Sequence, residues 1–266
     1  MGQVTTTDRR TVLRATAGLA FTAGCATSGS VAHPAPATSS AVARPAPSKS
    51  AGPSAKPPAP GPRRFPGRPA QLGHGPRTRP RVALTFHGNG DPATATALLR
   101  AAEERGARLT VLAVGTWLDA HPELARRILD GGHDLGNHTL HHLGVNDMSE
   151  ADALAEIAGC ADRLRTLTGS IGSWFRPSRA ARASPLVERL ARRVGYPHVL
   201  SYDVDSLDFT SPGAPAITRK VLAEVRNGSV VSLHFGYADT VAALPAVLEE
   251  LDRRGLAAVT TTELFS

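Results

Sequence analysis

The sequence predicts one α/β domain over residues 81–266, a distorted (β/α)7 barrel. Three observations lead there. Short apolar runs alternate about seven times with amphipathic stretches of helical length, a rhythm that implies parallel strands joined by helices. No Gly-x-Gly-x-x-Gly follows the first apolar run, so an open nucleotide-binding sheet lacks its usual mark. Polar residues (His87, His138, Arg176, Asp203, Asp205 and His234) stand just after the apolar runs. In a βα barrel such positions meet at the C-terminal mouth of the strands, where barrel active sites lie.

The elements follow in order. "VALTF" (82–86) reads as a buried strand, and "PATATALLRAAEERG" after it sets Leu98, Leu99 and Ala102 at helical spacing. "RLTVLAV" (108–114) precedes "TWLDAHPELARRILDGG", one helical stretch stopped by a Gly pair. "DLGNHT" (134–139) precedes "SEADALAEIAGCADRLRTLTG", where Ser149 suits an N-cap and Leu154, Ile157 and Leu164 fall near one face. Then come "WFRP" with "SPLVERLARRVG", "PHVLSYDV" with "APAITRKVLAEVRNG", "SVVSLHFG" with "TVAALPAVLEELDRRG", and a closing "AAVTTTELF".

The first 80 residues have a different character. "DRRTVLRATAGLAFTAGC" joins paired Arg9 and Arg10 to a short apolar run ending at Cys25, far below the roughly 20 apolar residues a membrane span needs. It resembles a twin-arginine export leader with a lipoprotein processing site, so residues 1–25 are expected to be a signal peptide and Cys25 to carry the lipid. Residues 26–80 are Ala-, Pro- and Ser-rich, with eight Lys or Arg and no acid. That composition predicts a disordered, Pro-stiffened tether. Of the net charge of +7, residues 1–25 carry +2 and the tether +8, leaving about −3 for the rest. The high pI therefore belongs to the tether and gives no argument for nucleic-acid binding by the domain. Cys160, the second of two cysteines, has no intramolecular partner beyond the leader and reads as a small buried residue on a helix.

At the mouth, "NHTLHH" sets His138 and His142 four apart around a tight turn, a spacing at which two imidazoles can share a zinc ion. Thr139 is expected to fix the turn through backbone, and His133 and His141 to stand outside the ligand set. His234, ending "SLHF", suits a general acid or base. Asp203, Asp205 or Asp208 would orient an imidazole, and Arg176 would position a carboxylate or attract substrate.

These pieces, in this order, resemble the polysaccharide deacetylase family, the NodB-like carbohydrate esterases, over essentially all of residues 81–266. The family's Thr-Phe-Asp-Asp-Gly falls on Thr85-Phe86-His87-Gly88-Asn89, and its His-Ser/Thr-x-x-His on His138 to His142 in full. Its Arg-Pro-Pro-Tyr-Gly keeps only Arg176-Pro177. Its Asp-x-x-Asp-Trp falls on Asp205 to Asp208 with Phe209 for Trp, and its Leu-x-His ends at His234 behind Leu233. The resemblance implies zinc-assisted removal of N-acetyl groups from an amino-sugar polymer. It also implies that Arg176 holds the base, that the Arg179 backbone N–H helps bind the oxyanion, and that His234, with Asp208 beside it, protonates the leaving amine.

Motif one departs from the pattern, and three readings stay open. His87 joins His138 and His142 as a three-His zinc site while Asp91 is the base; or His87 is the base and Asp91 the third ligand; or the site is dead and the domain binds glycan. An O-acetyl ester is the remaining alternative substrate. The expected protein is a monomer with a polysaccharide substrate, tethered by Cys25 to the outer face of the cytoplasmic membrane and binding no nucleic acid.

Overall fold

A computed structural model describes residues 58–266; the leader, Cys25 and the tether up to residue 57 lie outside the described residues. Its first strand corrects the expected boundary at residue 80. β1 (Gln71–Leu72) pairs in parallel with β5 (Val199–Leu200), so residues 58–80 are part of the folded unit. Phe65 stacks on Trp174 with ring centroids 5.6 Å apart and touches Phe265, its N–H donates to His198 Nε2 at 3.0 Å, and Leu72 is buried. Arg77 reaches Asp203 at 2.6 Å. Composition suggests a tether here because its few apolar residues find their partners more than 100 positions away.

The main sheet runs β4 (Asp134–Asn137), β3 (Thr110–Ala113), β2 (Arg81–Gly88), β7 (Val230–His234), β6 (Val204–Asp205), with β8 (Ala257–Ala258) beside β2. All these pairs are parallel. "WFRP" forms no strand: Phe175 alone bridges Asn137 on one side and Val199 on the other. Those two bridges continue the sheet from β4 to β5, and β5 and β6 are consecutive in the chain. The result is the distorted barrel that the alternating pattern predicts.

Alternation along β2 sets its two faces. Val82, Leu84 and Phe86 join the core packed beneath the helices. Ala83 joins the inner cluster with Leu112, Val230 and Trp174, and the Thr85 hydroxyl bonds the Val231 carbonyl at 2.6 Å. His87, two residues on, is the last inward side chain before the mouth.

The helices α1 (Pro92–Glu103), α4 (Glu150–Thr168), α5 (Pro185–Val194), α6 (Ala214–Glu224) and α7 (Ala238–Arg253) follow the expected stretches, with Ser149 capping α4. "TWLDAHPELARRILDGG" divides instead into α2 (Gly115–Ala120) and α3 (Pro122–Asp130). Pro122 disfavours helical geometry at the preceding residue, and His121 accordingly sits at φ −137°, ψ 61°. A short α8 (Thr261–Phe265), closed by a Thr260–Glu263 capping box, ends the chain.

Phe65→Ala tests the enlarged domain. Removing the half-buried ring from Trp174 should lower the unfolding free energy by about 2 kcal/mol, read from urea denaturation. A free tether at that position predicts a change below about 0.5 kcal/mol.

Candidate active site

Three imidazoles converge at the mouth. His87, His138 and His142 each offer one ring nitrogen, and the three atoms lie within 4.8 Å of one another. His87 comes from the end of β2, and the other two from the turn after β4. Asn137 builds that turn: its Oδ1 accepts the Thr139 N–H at 2.9 Å, and its amide donates to the Ile157 carbonyl and the Tyr196 hydroxyl. The turn carries two non-glycine residues at positive φ, Thr139 at 69° and His142 at 59°, conformations that cost free energy unless the surroundings enforce them. Gly136 is required beside it, since a Cβ there would lie 2.6 Å from the Trp174 carbonyl oxygen.

His138 is fully buried, and its Nδ1–H donates to the Arg176 carbonyl at 3.0 Å. A carbonyl only accepts, so the proton is on Nδ1 and Nε2 presents a lone pair. Among the described residues, His138 Nε2 and Arg176 Nη1 are the buried side-chain polar atoms with no hydrogen-bond partner. Burial holds His87 and His138 well below the usual histidine range, helped by neighbouring cationic and imidazole groups, and holds His142 low as well. Three neutral imidazoles with one orphaned lone pair fit a divalent transition metal such as zinc.

Across the mouth, the parallel register sets His234 beside His87, their rings 4.2 Å apart. His234 Nδ1 donates to Asp208 Oδ1 at 2.7 Å, and its backbone N–H to Oδ2 at 2.8 Å. Asp208 is fully buried and also accepts from Thr240. Arg176, also fully buried, donates to the carbonyls of Leu200 and Ser201 and stands over the Tyr202 ring. Burial lowers its pKa to about 10. A cleft of about 390 Å3 opens over these groups, lined by His87, His142, Arg179, Asp205, Phe209 and His234 among others. Arg179 adopts φ 55° at its edge. The sequence reading missed Ser232, whose hydroxyl lies 3.2 Å from His87 Nε2. Its position two residues before His234 on the same strand was the available signal.

Several expected roles are not met. Asp91 stands outside the three-imidazole group and the cleft lining: it is exposed and caps α1, accepting the N–H groups of Ala93 and Thr94. Gly88 has no room for a carboxylate, because a Cβ there would meet Val111 Cγ1 at 2.8 Å and the Ala113 Cα at 3.0 Å. Asp203 does not reach the mouth; it binds Arg77, Ser229 and the Val230 N–H. The Thr139 hydroxyl bonds Ser178 rather than backbone. His141 and His133 stand outside the three-His group, held by Glu156 and by Glu103 with the Leu109 N–H. Cys160 is buried on α4 and donates to the Ala113 carbonyl, and burial pushes its thiol up to about 12.

Comparison with known proteins meets this geometry. The family model described as polysaccharide deacetylase matches residues 74–199. A peptidoglycan-N-acetylglucosamine deacetylase of Bacillus cereus is 31% identical over 196 residues, covering 69% of this chain and 87% of the relative. The chain belongs to the polysaccharide deacetylase family. Its fold also matches a solved peptidoglycan N-acetylglucosamine deacetylase at TM-score 0.69, with 24% identity over 74% of this chain and 92% of that one. A family pseudoenzyme from Bacillus anthracis matches at TM-score 0.71, with 20% identity over 75% and 70% of the two chains. At these identities the two structural likenesses establish the fold.

Asp91→Ala should cost about 1 kcal/mol of stability through the lost cap while leaving turnover and metal content unchanged, by denaturation and acetate assays. The depressed imidazoles also give a pH signature. Their folded pKa values lie below the unfolded value of 6.5, so only the unfolded chain takes up these protons as pH falls past 6.5. The metal-free protein should therefore lose stability below about pH 6.5. The urea midpoint should fall less steeply in that range for His138→Gln than for wild type.

Proposed function

We propose that this chain is a metal-dependent N-deacetylase of an amino-sugar polysaccharide in the cell envelope, most simply peptidoglycan. The observation that carries the reading is the orphaned Nε2 of His138 within a neutral three-imidazole group, facing the His234–Asp208 pair across one cleft. The names of the relatives add the substrate class: the Bacillus cereus protein is a peptidoglycan-N-acetylglucosamine deacetylase, and a Bradyrhizobium relative, 28% identical, is a chitooligosaccharide deacetylase.

His87, His138 and His142 would hold a zinc ion, which when bound supplies Lewis acidity to the acetamide oxygen and the attacking water. Asp208 fixes His234 by accepting from its ring Nδ1 and from its backbone N–H, so that Nε2 is the atom that would protonate the leaving amine. Arg179, which adopts φ 55° and lines the cleft, would offer its backbone N–H to the developing oxyanion. Phe209 and Tyr237 flank His234 edge-on at 5.6 and 5.9 Å and give the cleft an apolar wall. The N-terminal sequence supports export and a lipid anchor on Cys25 at the outer face of the cytoplasmic membrane, where the enzyme would act as a monomer on wall glycan.

The test is acetate release from peptidoglycan, chitooligosaccharides and acetylated xylan, with metal content measured in parallel. Zinc-loaded wild type should hold about one ion and release acetate from an N-acetylated glycan, and His138→Ala should lose both. A metal-free wild type whose glycan affinity is unchanged by His138→Ala would support a binding module instead.

A further inference from the structure

The three clustered imidazoles and the His234–Asp208 pair leave one role without an occupant, the acceptor for a proton of the attacking water. Imidazole lone pairs given to a metal are not free for it. Position 88 has no room for a carboxylate, and Asp91 is committed to the α1 cap. Asp208 is buried with both oxygens engaged, Oδ1 by His234 and Oδ2 by the His234 N–H and Thr240.

Among the described residues that line the cleft, Asp205 is the one carboxylate. It ends β6, and the register pairs it with Ser232 on β7. Paired residues of neighbouring strands project to the same face, so Asp205 shares the inward face with Ser232, whose hydroxyl reaches His87. One Asp205 oxygen accepts the Leu207 N–H at 3.1 Å; the other has only the Tyr202 hydroxyl at 3.5 Å. That second oxygen is weakly held, on a residue that lines the cleft. The Arg176 guanidinium, whose Nη1 has no partner, stands over the ring of Tyr202, the residue whose hydroxyl approaches that oxygen.

The geometry points to Asp205 as the general base of this chain, a role displaced from the end of β2 to the end of β6. The inference rests on the deacetylase reading above and assigns its remaining catalytic residue. As the water oxygen bonds to the acetamide carbon, its proton passes to Asp205. The C–N bond then breaks, its electron pair leaves on nitrogen, and nitrogen takes the proton of His234. Acetic acid and amine depart and exchange a proton to become acetate and ammonium. Asp205 ends protonated and His234 neutral, and transfer of that proton through solvent restores both.

The experiment compares zinc-loaded wild type, Asp205→Asn and Asp205→Ala on the N-acetylated glycan that wild type turns over best, with and without added formate. Asp205→Asn should keep wild-type zinc content and a KM within about 3-fold while kcat falls 100-fold or more, the usual worth of a general base being about 10²–10⁴. Formate should restore part of the rate to Asp205→Ala and none to His234→Ala, a response that a merely structural aspartate would not give. A kcat for Asp205→Asn within about 3-fold of wild type, or a rate loss that follows zinc loss and resists formate, would overturn the assignment alone. A zinc-loaded wild type that releases no acetate from any glycan would overturn the deacetylase reading and the base with it.

Discussion

The site depends on one hydrogen bond, from His138 Nδ1–H to the Arg176 carbonyl. It fixes the tautomer of a fully buried ring and so decides which nitrogen keeps its lone pair. The bond exists because the Phe175 bridges bring the 174–176 segment alongside the end of β4. That approach in turn requires Gly136, where any side chain would strike the Trp174 carbonyl. Asn137 completes the arrangement by tying the turn to α4 and to Tyr196. Two positive φ values are enforced at Thr139 and His142, and that strain persists only where several independent bonds hold it.

At the end of β2 the chain carries His87 and Gly88, neither of them a carboxylate, and the charges of the site lie elsewhere. With His87 among the imidazoles and Gly88 facing packed β3, no carboxylate remains in the three-His group. Arg176, which the family pattern pairs with a carboxylate of that motif, is left with a buried unpartnered Nη1. Its guanidinium stands over the Tyr202 ring, and the charge that acts on it is the Asp205 carboxylate at the end of β6. The fold itself is unaffected, because the outer face of β2, with Val82, Leu84 and Phe86, keeps its apolar alternation.

The β/α rhythm was legible because each strand and helix carries its own periodicity, and the His138–His142 spacing and the His234–Asp208 pair because short motifs bear them. What escaped was non-local. Phe65, Leu72 and Arg77 look like tether until Trp174, Val199 and Asp203 are folded against them. The break between α2 and α3 was written in His121-Pro122, but the apolar pattern ran through it. Asp91-Pro92 before an apolar helix is a local start signal, and the structure uses Asp91 as the α1 cap. The closeness of His87 to His138 and His142 depends on the register between strands, which no single strand carries.

We propose that three imidazoles, and no carboxylate, form the metal centre. X-ray absorption at the zinc edge, paired with anomalous diffraction from zinc-loaded crystals, measures that directly. The account predicts one zinc bound through nitrogen of His87, His138 and His142. A zinc ligated by an aspartate, or one that leaves His87 uncoordinated, would contradict it.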